Sequence, residues 1–327
     1  MTQTDYAASR TVDFDEIPVV DVSDLDTVVG RARISADIMA AAQTSGFFYI
    51  SGHGIHQDLI DRAFAASRDF FALPADDKAT VQVNMDQRGW MGQGMTHLEG
   101  AKTHDAKEVF FWGWDVDADD NDVKAGVPMV AVNQWPDAVA PDLKPQLMAY
   151  YLSVVDMGRK IMGALATGLG REATFFDKAY AAPLARGQLV YYPAMTEDDR
   201  MAQRFGAAAH SDFGALTILK QDDVGGLQVQ NLAGEWINAP PLPGTFVCNI
   251  GDLLERWSNG RLVSTKHRVL NSSGRSRYSV PIFFDPASQT PIDPADFGAV
   301  DPNYTVVTAG EHIAGRNGRN FKQYQKD

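Results

Sequence analysis

From Pro183 to Asp285 the chain breaks into short strand-like runs punctuated by Gly, Pro, Asp and Asn. They read QLVYYP, AAAHSD, ALTILKQ, GLQVQ, EWINA, TFVCNIG, KHRVLN and RYSVPIFFD. Several short strands at regular spacing indicate a β barrel or sandwich. The chain before Pro183 has another texture. Apolar residues fall at helical spacing over Val28–Thr44, Asp58–Phe71 and Lys144–Leu169. Pro74 in LPADDK suits the first turn of a further short helix. IPVVDVSDL, GFFYISGHG and KEVFFWGWD read as strands set among these helices. Residues 1–16 read as a loose polar leader, 117–126 as a solvated acidic loop, QRGWMGQGMTHLEG as a glycine-rich loop, and HIAGRNGRNF as a final short helix before a tail. No linker divides front from rear, so residues 1–327 are expected to form one compact domain. Its class is mixed α+β, mainly β, with a front region over about 1–130 and a β-rich core over about 183–290.

Composition narrows the function classes. Hydrophobic residues at 45% and charged residues at 22% are those of a soluble globular protein. A net charge of −13 argues against a nucleic-acid-binding or anionic-membrane surface, while leaving room for a local basic pocket. No basic stretch followed by an apolar core marks a signal peptide, and no apolar run approaches the ~18 residues of a membrane helix. Cys248 is the only cysteine, which rules out intrachain disulfides and a Cys-rich zinc site. A cytoplasmic location is the expectation, with Cys248 a core residue of TFVCNI. No heptad run specifies an oligomer.

The chemistry gathers in the β-rich part. His210 and Asp212 stand two apart, so from a strand or strand end they look the same way, and a later strand can return His267 to them. Two imidazoles and a carboxylate with open positions are the ligand set of non-haem Fe(II) oxygenases. Arg277 and Ser279 share a face of the apolar run RYSVPIFF. An inward arginine there must be paired, because burying a lone cation is very costly. A guanidinium with a neighbouring hydroxyl suits a ligand carboxylate held bidentately; a protein acid is the competing partner. His53 and His56 have HxxH spacing, but in a glycine turn rather than on a helix, and read as structural. The acidic loop does not fit the EF-hand ligand pattern, and the glycine-rich loop is no dinucleotide fingerprint.

The pattern His-x-Asp…His…Arg-x-Ser resembles the catalytic core of the Fe(II)/2-oxoglutarate-dependent dioxygenases of the isopenicillin-N-synthase-like superfamily. IPVVDV, GFFYISGHGI, FFALPADDK and KEVFFWG resemble the amino-terminal region of the same enzymes. The resemblance implies a double-stranded β-helix, or jelly roll, with helices packed outside. It implies Fe(II) held by His210, Asp212 and His267, and 2-oxoglutarate held through its far carboxylate by Arg277 and Ser279, with Tyr192 hydrogen-bonding the co-substrate. Dioxygen is the other co-substrate, succinate and CO2 are released, and a small molecule is oxidised, by default hydroxylated. By the same similarity Phe213, Arg88 and Trp90 are expected to line the substrate pocket. Around the core the sequence is similar to both ethylene-forming-type and thymine-hydroxylase-type bacterial members. Two alternatives stand beside this reading: an iron oxidase of the same fold that desaturates or cyclises without 2-oxoglutarate, and a non-catalytic metal-binding jelly roll.

Overall fold

The computed structural model describes residues 8–9, 17–96, 101–298 and 303–320. Most of the expected leader, the 97–100 end of the glycine-rich loop and the tail beyond 320 lie outside the described residues. The strands are β1 (Val19–Asp21), β2 (Phe47–Ser51), β3 (Gly89–Met91), β4 (Glu108–Gly113), β5 (Arg186–Tyr192), β6 (Ala207–His210), β7 (Leu216–Gln221), β8 (Leu227–Gln230), β9 (Trp236–Asn238), β10 (Phe246–Ile250), β11 (His267–Val269) and β12 (Arg277–Phe284), with a small pair β13 (Pro291–Ile292) and β14 (Val307–Thr308). The helices are α1 (Val28–Ala42), α2 (Gln57–Ala72), α3 (Ala75–Ala79), α4 (Asn121–Lys124), α5 (Leu143–Gly168), α6 (Glu197–Met201), α7 (Asp252–Trp257) and α8 (Ala309–Asn320).

Two sheets form the body. The larger has the order β1-β2-β10-β7-β12-β5-β4-β3 and the smaller β6-β11-β8-β9. Apart from the parallel pair β1–β2, every ladder in these sheets is antiparallel. Strands from the front of the chain form both edges of the larger sheet (β1-β2 and β4-β3), and strands from the rear form its centre. This is the jelly roll that the family resemblance implies.

Alternation along each strand of the larger sheet separates two cores. Leu216, Ile218, Cys248, Ile250, Val280, Ile282 and Phe284 face the helices and join the core built around α5. Val190, Tyr192, Val247, Tyr49 and Phe111 face the other way, against Leu227, Val229 and Val269 of the smaller sheet. Thr27 caps α1 by accepting from the Gly30 N–H at 2.9 Å. In α5 the apolar stripe Leu147, Tyr151, Val154, Val155, Ile161, Met162 and Leu165 is fully buried. Each such aliphatic side chain contributes about 1.5–3 kcal/mol relative to exposure. Gly158 lets α5 approach the sheet, since a Cβ there would come within 2.7 Å of the Phe284 ring. α1 and α2 lie against α5, so the helices cover one face of the large sheet and leave the other for the cavity.

The structure adds elements that composition hides. The acidic loop contains α4, whose cap Asp120 accepts from the Asp122 and Val123 N–H groups. α6 opens with a Thr196/Asp199 capping box, and α7 is inserted between β10 and β11. No helix among the described residues is long and apolar enough to cross a membrane.

Candidate active site

His210 is the last residue of β6 and His267 the first of β11, and the two are direct partners in the antiparallel ladder. Register therefore sets the imidazoles side by side, with ring centroids 4.4 Å apart. Asp212 lies just past β6, in the turn toward β7, with its carbonyl accepting from the Asp252 N–H that opens α7 at 2.8 Å. Its Oδ1 is 3.8 Å from His210 Nε2 and 3.7 Å from His267 Nε2. Those three atoms lie within 4.8 Å of one another, close enough for one ion to meet all three.

The surroundings prepare each group to ligate. Asp212 Oδ2 accepts from Thr217 Oγ1 at 2.6 Å and Asn249 Nδ2 at 2.8 Å, while Oδ1 takes no hydrogen bond among the described residues. His210 Nδ1 contacts the Ala208 carbonyl at 2.7 Å, which puts the proton on Nδ1 and the lone pair on Nε2. Burial first, and His267 beside it second, push the His210 pKa down to about 4, so the ring is neutral as a ligand must be. For Asp212, burial disfavours the charge, but the two imidazoles and the Asn249 and Thr217 donors outweigh it and hold the carboxyl below its ordinary value. An ionised carboxylate with one free oxygen beside two imidazoles fits a divalent cation. Gly214 makes the turn possible, because a Cβ there would collide with Asp285 Oδ1 at 1.9 Å.

On the facing sheet, Tyr192 pairs with Arg277 and Val190 with Ser279. Arg277 is 1% exposed and makes no ion pair among the described residues, although the Asp222 carboxylate is near enough to feel its charge. Its Nη2 donates to Gln221 Oε1 at 3.0 Å, its Nη1 to Ser279 Oγ at 3.4 Å, and its Nε has no partner among the described residues. The Tyr192 ring lies 4.8 Å from the guanidinium carbon. Arg277, Ser279 and Tyr192 line the same cavity as His210, Asp212 and His267. The competing arrangement, a protein acid in direct contact with Arg277, is not found among the described residues: Asp222 is a charged neighbour, but its two oxygens accept from the Tyr278 and Val224 N–H groups.

A cavity on the other side of the triad is lined by Phe213, Gln87, Lys107, Arg186, Gln188 and Asn317 among others. Phe213 lines this cavity, with the Arg316 guanidinium 4.6 Å from its ring. Arg88 and Trp90 line neither this cavity nor that of Arg277. Arg88 is buried and donates to the carbonyls of Asp86, Gln87 and Met129, lining a separate cavity beside Met129 and Leu184. Trp90 turns toward the helices, where its Nε1 donates to Glu108 Oε2 at 2.9 Å and Lys78 approaches its ring. The reason is alternation: Gln87, one step before Arg88, reaches the cavity and accepts from Arg186 Nη1, and Met91, one step after Trp90, packs in the inter-sheet core.

Several site residues carried a signal that sequence reasoning passed over. Thr217 and Asn249 are polar residues at inward positions of the apolar runs ALTILKQ and TFVCNI, and a buried polar group must have a partner. Asn317 sits on α8, and nothing in HIAGRNGRNF marks it.

Family models match the chain in two places: the non-haem dioxygenase N-terminal model over residues 17–138, and the 2OG-Fe(II) oxygenase superfamily model over residues 187–286. A 2-oxoglutarate-Fe(II) type oxidoreductase of Emericella nidulans is 34% identical, over 82% of this chain and 78% of its own. A homoarginine-6-hydroxylase of Glycine max is 34% identical, over 94% of this chain and 98% of its own. The chain belongs to the 2OG-Fe(II) oxygenase superfamily. A full-length Neurospora crassa protein, solved in complex with α-KG, superposes with a TM-score of 0.82 at 27% identity, over 94% of this chain and 99% of that one. A further structure of the same Neurospora crassa protein holds α-KG and thymine. The chain is therefore a dioxygenase that uses Fe(II), 2-oxoglutarate and O2 to oxidise a small molecule, and hydroxylation is consistent with its relatives.

Proposed function

We propose that His210, Asp212 and His267 hold the Fe(II), and that Arg277 and Ser279 take the far carboxylate of 2-oxoglutarate with Tyr192 beside them. The observation that carries this is the buried Arg277 guanidinium, which makes no direct ion pair among the described residues and faces the cavity of the triad. A buried cation of this kind needs an anion, and an oxo-dicarboxylate supplies one. The chemistry supplied by Fe(II) in this family is oxidative decarboxylation of 2-oxoglutarate to succinate and CO2, coupled to oxidation of a substrate C–H bond. The chain's own residues do the rest. Asn249 and Thr217 fix the Asp212 carboxylate, the Ala208 carbonyl fixes the His210 ring, and the β5–β12 register aims Arg277 and Ser279 along one face.

The substrate side favours a compact, uncharged, polar molecule. Its cations are already matched, Arg186 by Asp285 at 2.9 Å and Lys107 by Asp105 at 2.9 Å. The remaining polar groups are mainly amides, Gln87, Gln188 and Asn317, beside the rings of Phe213 and Phe283. Such a lining suits a nitrogen heterocycle with N–H and C=O edges, such as the thymine held by the Neurospora crassa protein, better than the cationic side chain of homoarginine. The single buried Cys248 supports a reducing, cytoplasmic setting, and the shared large sheet supports reading the chain as one domain.

The test is anaerobic titration of the Fe(II)-loaded protein with 2-oxoglutarate, followed by succinate assays with a panel of pyrimidines and with homoarginine. A weak visible charge-transfer band is expected, abolished or shifted to far higher concentration by Arg277→Ala. A band unchanged in that variant overturns the assignment of Arg277. Succinate release stimulated by homoarginine and by no heterocycle overturns the substrate class.

A further inference from the structure

Among the described residues Lys107 is the one lysine that borders both sides of the metal site, lining the Arg277 cavity and the Phe213 cavity alike. It immediately precedes β4, where Glu108 pairs with Tyr191, and Tyr192 in turn pairs with Arg277. Glu108 points outward to Lys78 and Trp90, so Lys107 points inward, in the row of Tyr192 and Arg277. Its ammonium is 2.9 Å from Asp105 Oδ2. The other oxygen of Asp105 accepts from the Ala208 N–H at 2.9 Å, which ties the pair to the strand that ends in His210.

An ammonium has three donors, and Asp105 accounts for one. Among the described residues Lys107 meets no other acceptor, and its side chain is 14% exposed. Asp105 balances its charge, and the ammonium still offers the cavity charged, directed N–H groups. Their place is beside His210 and Asp212: Lys107 lines the Phe213 cavity with those two residues, and Arg277 and Ser279 do not. We propose that Lys107 positions 2-oxoglutarate by donating to its 1-carboxylate, the end that meets the metal. This rests on the site reading above. It gives the co-substrate a fixed donor at each end: Arg277 recognises the part that distinguishes 2-oxoglutarate from other 2-oxo acids, and Lys107 the part that all of them share.

That division sets the experiment. The Fe(II)-loaded protein is titrated without oxygen with 2-oxoglutarate and with 2-oxobutyrate, which keeps the oxo-acid head and lacks the far carboxylate. Lys107→Met is expected to raise Kd for both by about tenfold or more, the worth of one charge-assisted hydrogen bond. Arg277→Ala is expected to raise Kd for 2-oxoglutarate alone. Lys107→Met strands the Asp105 carboxylate, so the double variant Lys107→Met/Asp105→Asn is measured beside it; it removes both charges and keeps an oxygen for Ala208. Fe(II) affinity, read separately, should stay at the wild-type value in the double variant. Unchanged Kd for both oxo acids in the lysine variants overturns the proposal, as does a rise confined to the substrate KM. A parallel loss of Fe(II) affinity in the double variant also overturns it, since the lysine would then be structural. Wild-type behaviour of Arg277→Ala in the same titration would instead strike the underlying site reading.

Discussion

The wall that carries His210, His267, Arg277 and Ser279 is made of paired strands. The wall that carries Gln87, Phe213 and Asn317 is made of a turn, a loop and the last helix. In the first, ladder register fixes the geometry: His267 opposite His210, Arg277 opposite Tyr192, Ser279 opposite Val190. A slip of one residue would turn every side chain to the other face, so few arrangements are available. In the second, Gln87, Phe213 and Asn317 arrive from separate parts of the chain with no ladder between them, and only the floor they share, Arg186 opposite Phe283, is set by register. The strand-built wall is therefore suited to the chemistry common to the family, and the loop-built wall to whatever differs between members.

The largest expected effect tests the strand-built wall. His267→Ala removes one of three ligand groups and is expected to bring succinate formation to background, with Fe(II) binding lost in the same preparation. Phe213→Ala, at the loop-built wall, is expected to keep uncoupled 2-oxoglutarate turnover and raise the substrate KM by about tenfold. Equal losses in the two variants would dissolve the distinction. Circular dichroism on both separates this outcome from misfolding.

Much of this asymmetry is already legible in the amino acids. The eight rear strand runs all appear as strands, and the three long helical stretches appear as α1, α2 and α5. His210, Asp212, His267, Arg277, Ser279 and Tyr192 converge because period-two alternation is local and can be counted along the chain. Arg88 and Trp90 alternate with the inward Gln87 and Met91, but Gln87 has a positive φ of 58°, so the phase of that alternation cannot be counted through the turn from sequence. α7 was hidden because DLLERW is too short to show a period, yet its first N–H anchors Asp212. α8 was legible as a helix, but its contribution to the pocket is a long-range contact that no local pattern encodes.

An intermediate effect is expected one layer behind the ligands. Asn249→Ala removes a donor to Asp212 Oδ2 and leaves that oxygen with Thr217 alone. Loss of such an outer partner typically costs about 10–100-fold in metal affinity or activity. The expected signature is weaker Fe(II) binding, with the ratio of Kd values for 2-oxoglutarate and 2-oxobutyrate unchanged once the site is saturated. A selective loss of 2-oxoglutarate binding would mean that Asn249 serves the co-substrate, and the strand-built wall would then divide differently.

The smallest effect is expected at Asn317, and it bears most directly on the loop-built wall. Asn317 is 3% exposed and lines the Phe213 cavity, and among the described residues its Nδ2 has only the Met129 sulfur, at 3.7 Å. A thioether is a weak acceptor, so the amide retains most of its hydrogen-bonding capacity for a ligand. The helix beneath it is well anchored: Ile313 packs with Met129 and Leu184, and Arg316 donates to Asp252 Oδ2 at 2.7 Å. Asp252 is the residue whose N–H holds the Asp212 carbonyl, so α8 is tied to the segment that bears a ligand group. Asn317→Ala should therefore leave the helix in place and remove one neutral hydrogen bond, worth about 1 kcal/mol or roughly fivefold in substrate KM. Kd for 2-oxoglutarate should not move. A change in that Kd, or a fall in kcat at saturating substrate, would show that α8 acts through Asp252 on the metal segment, and that the two walls are one mechanical unit.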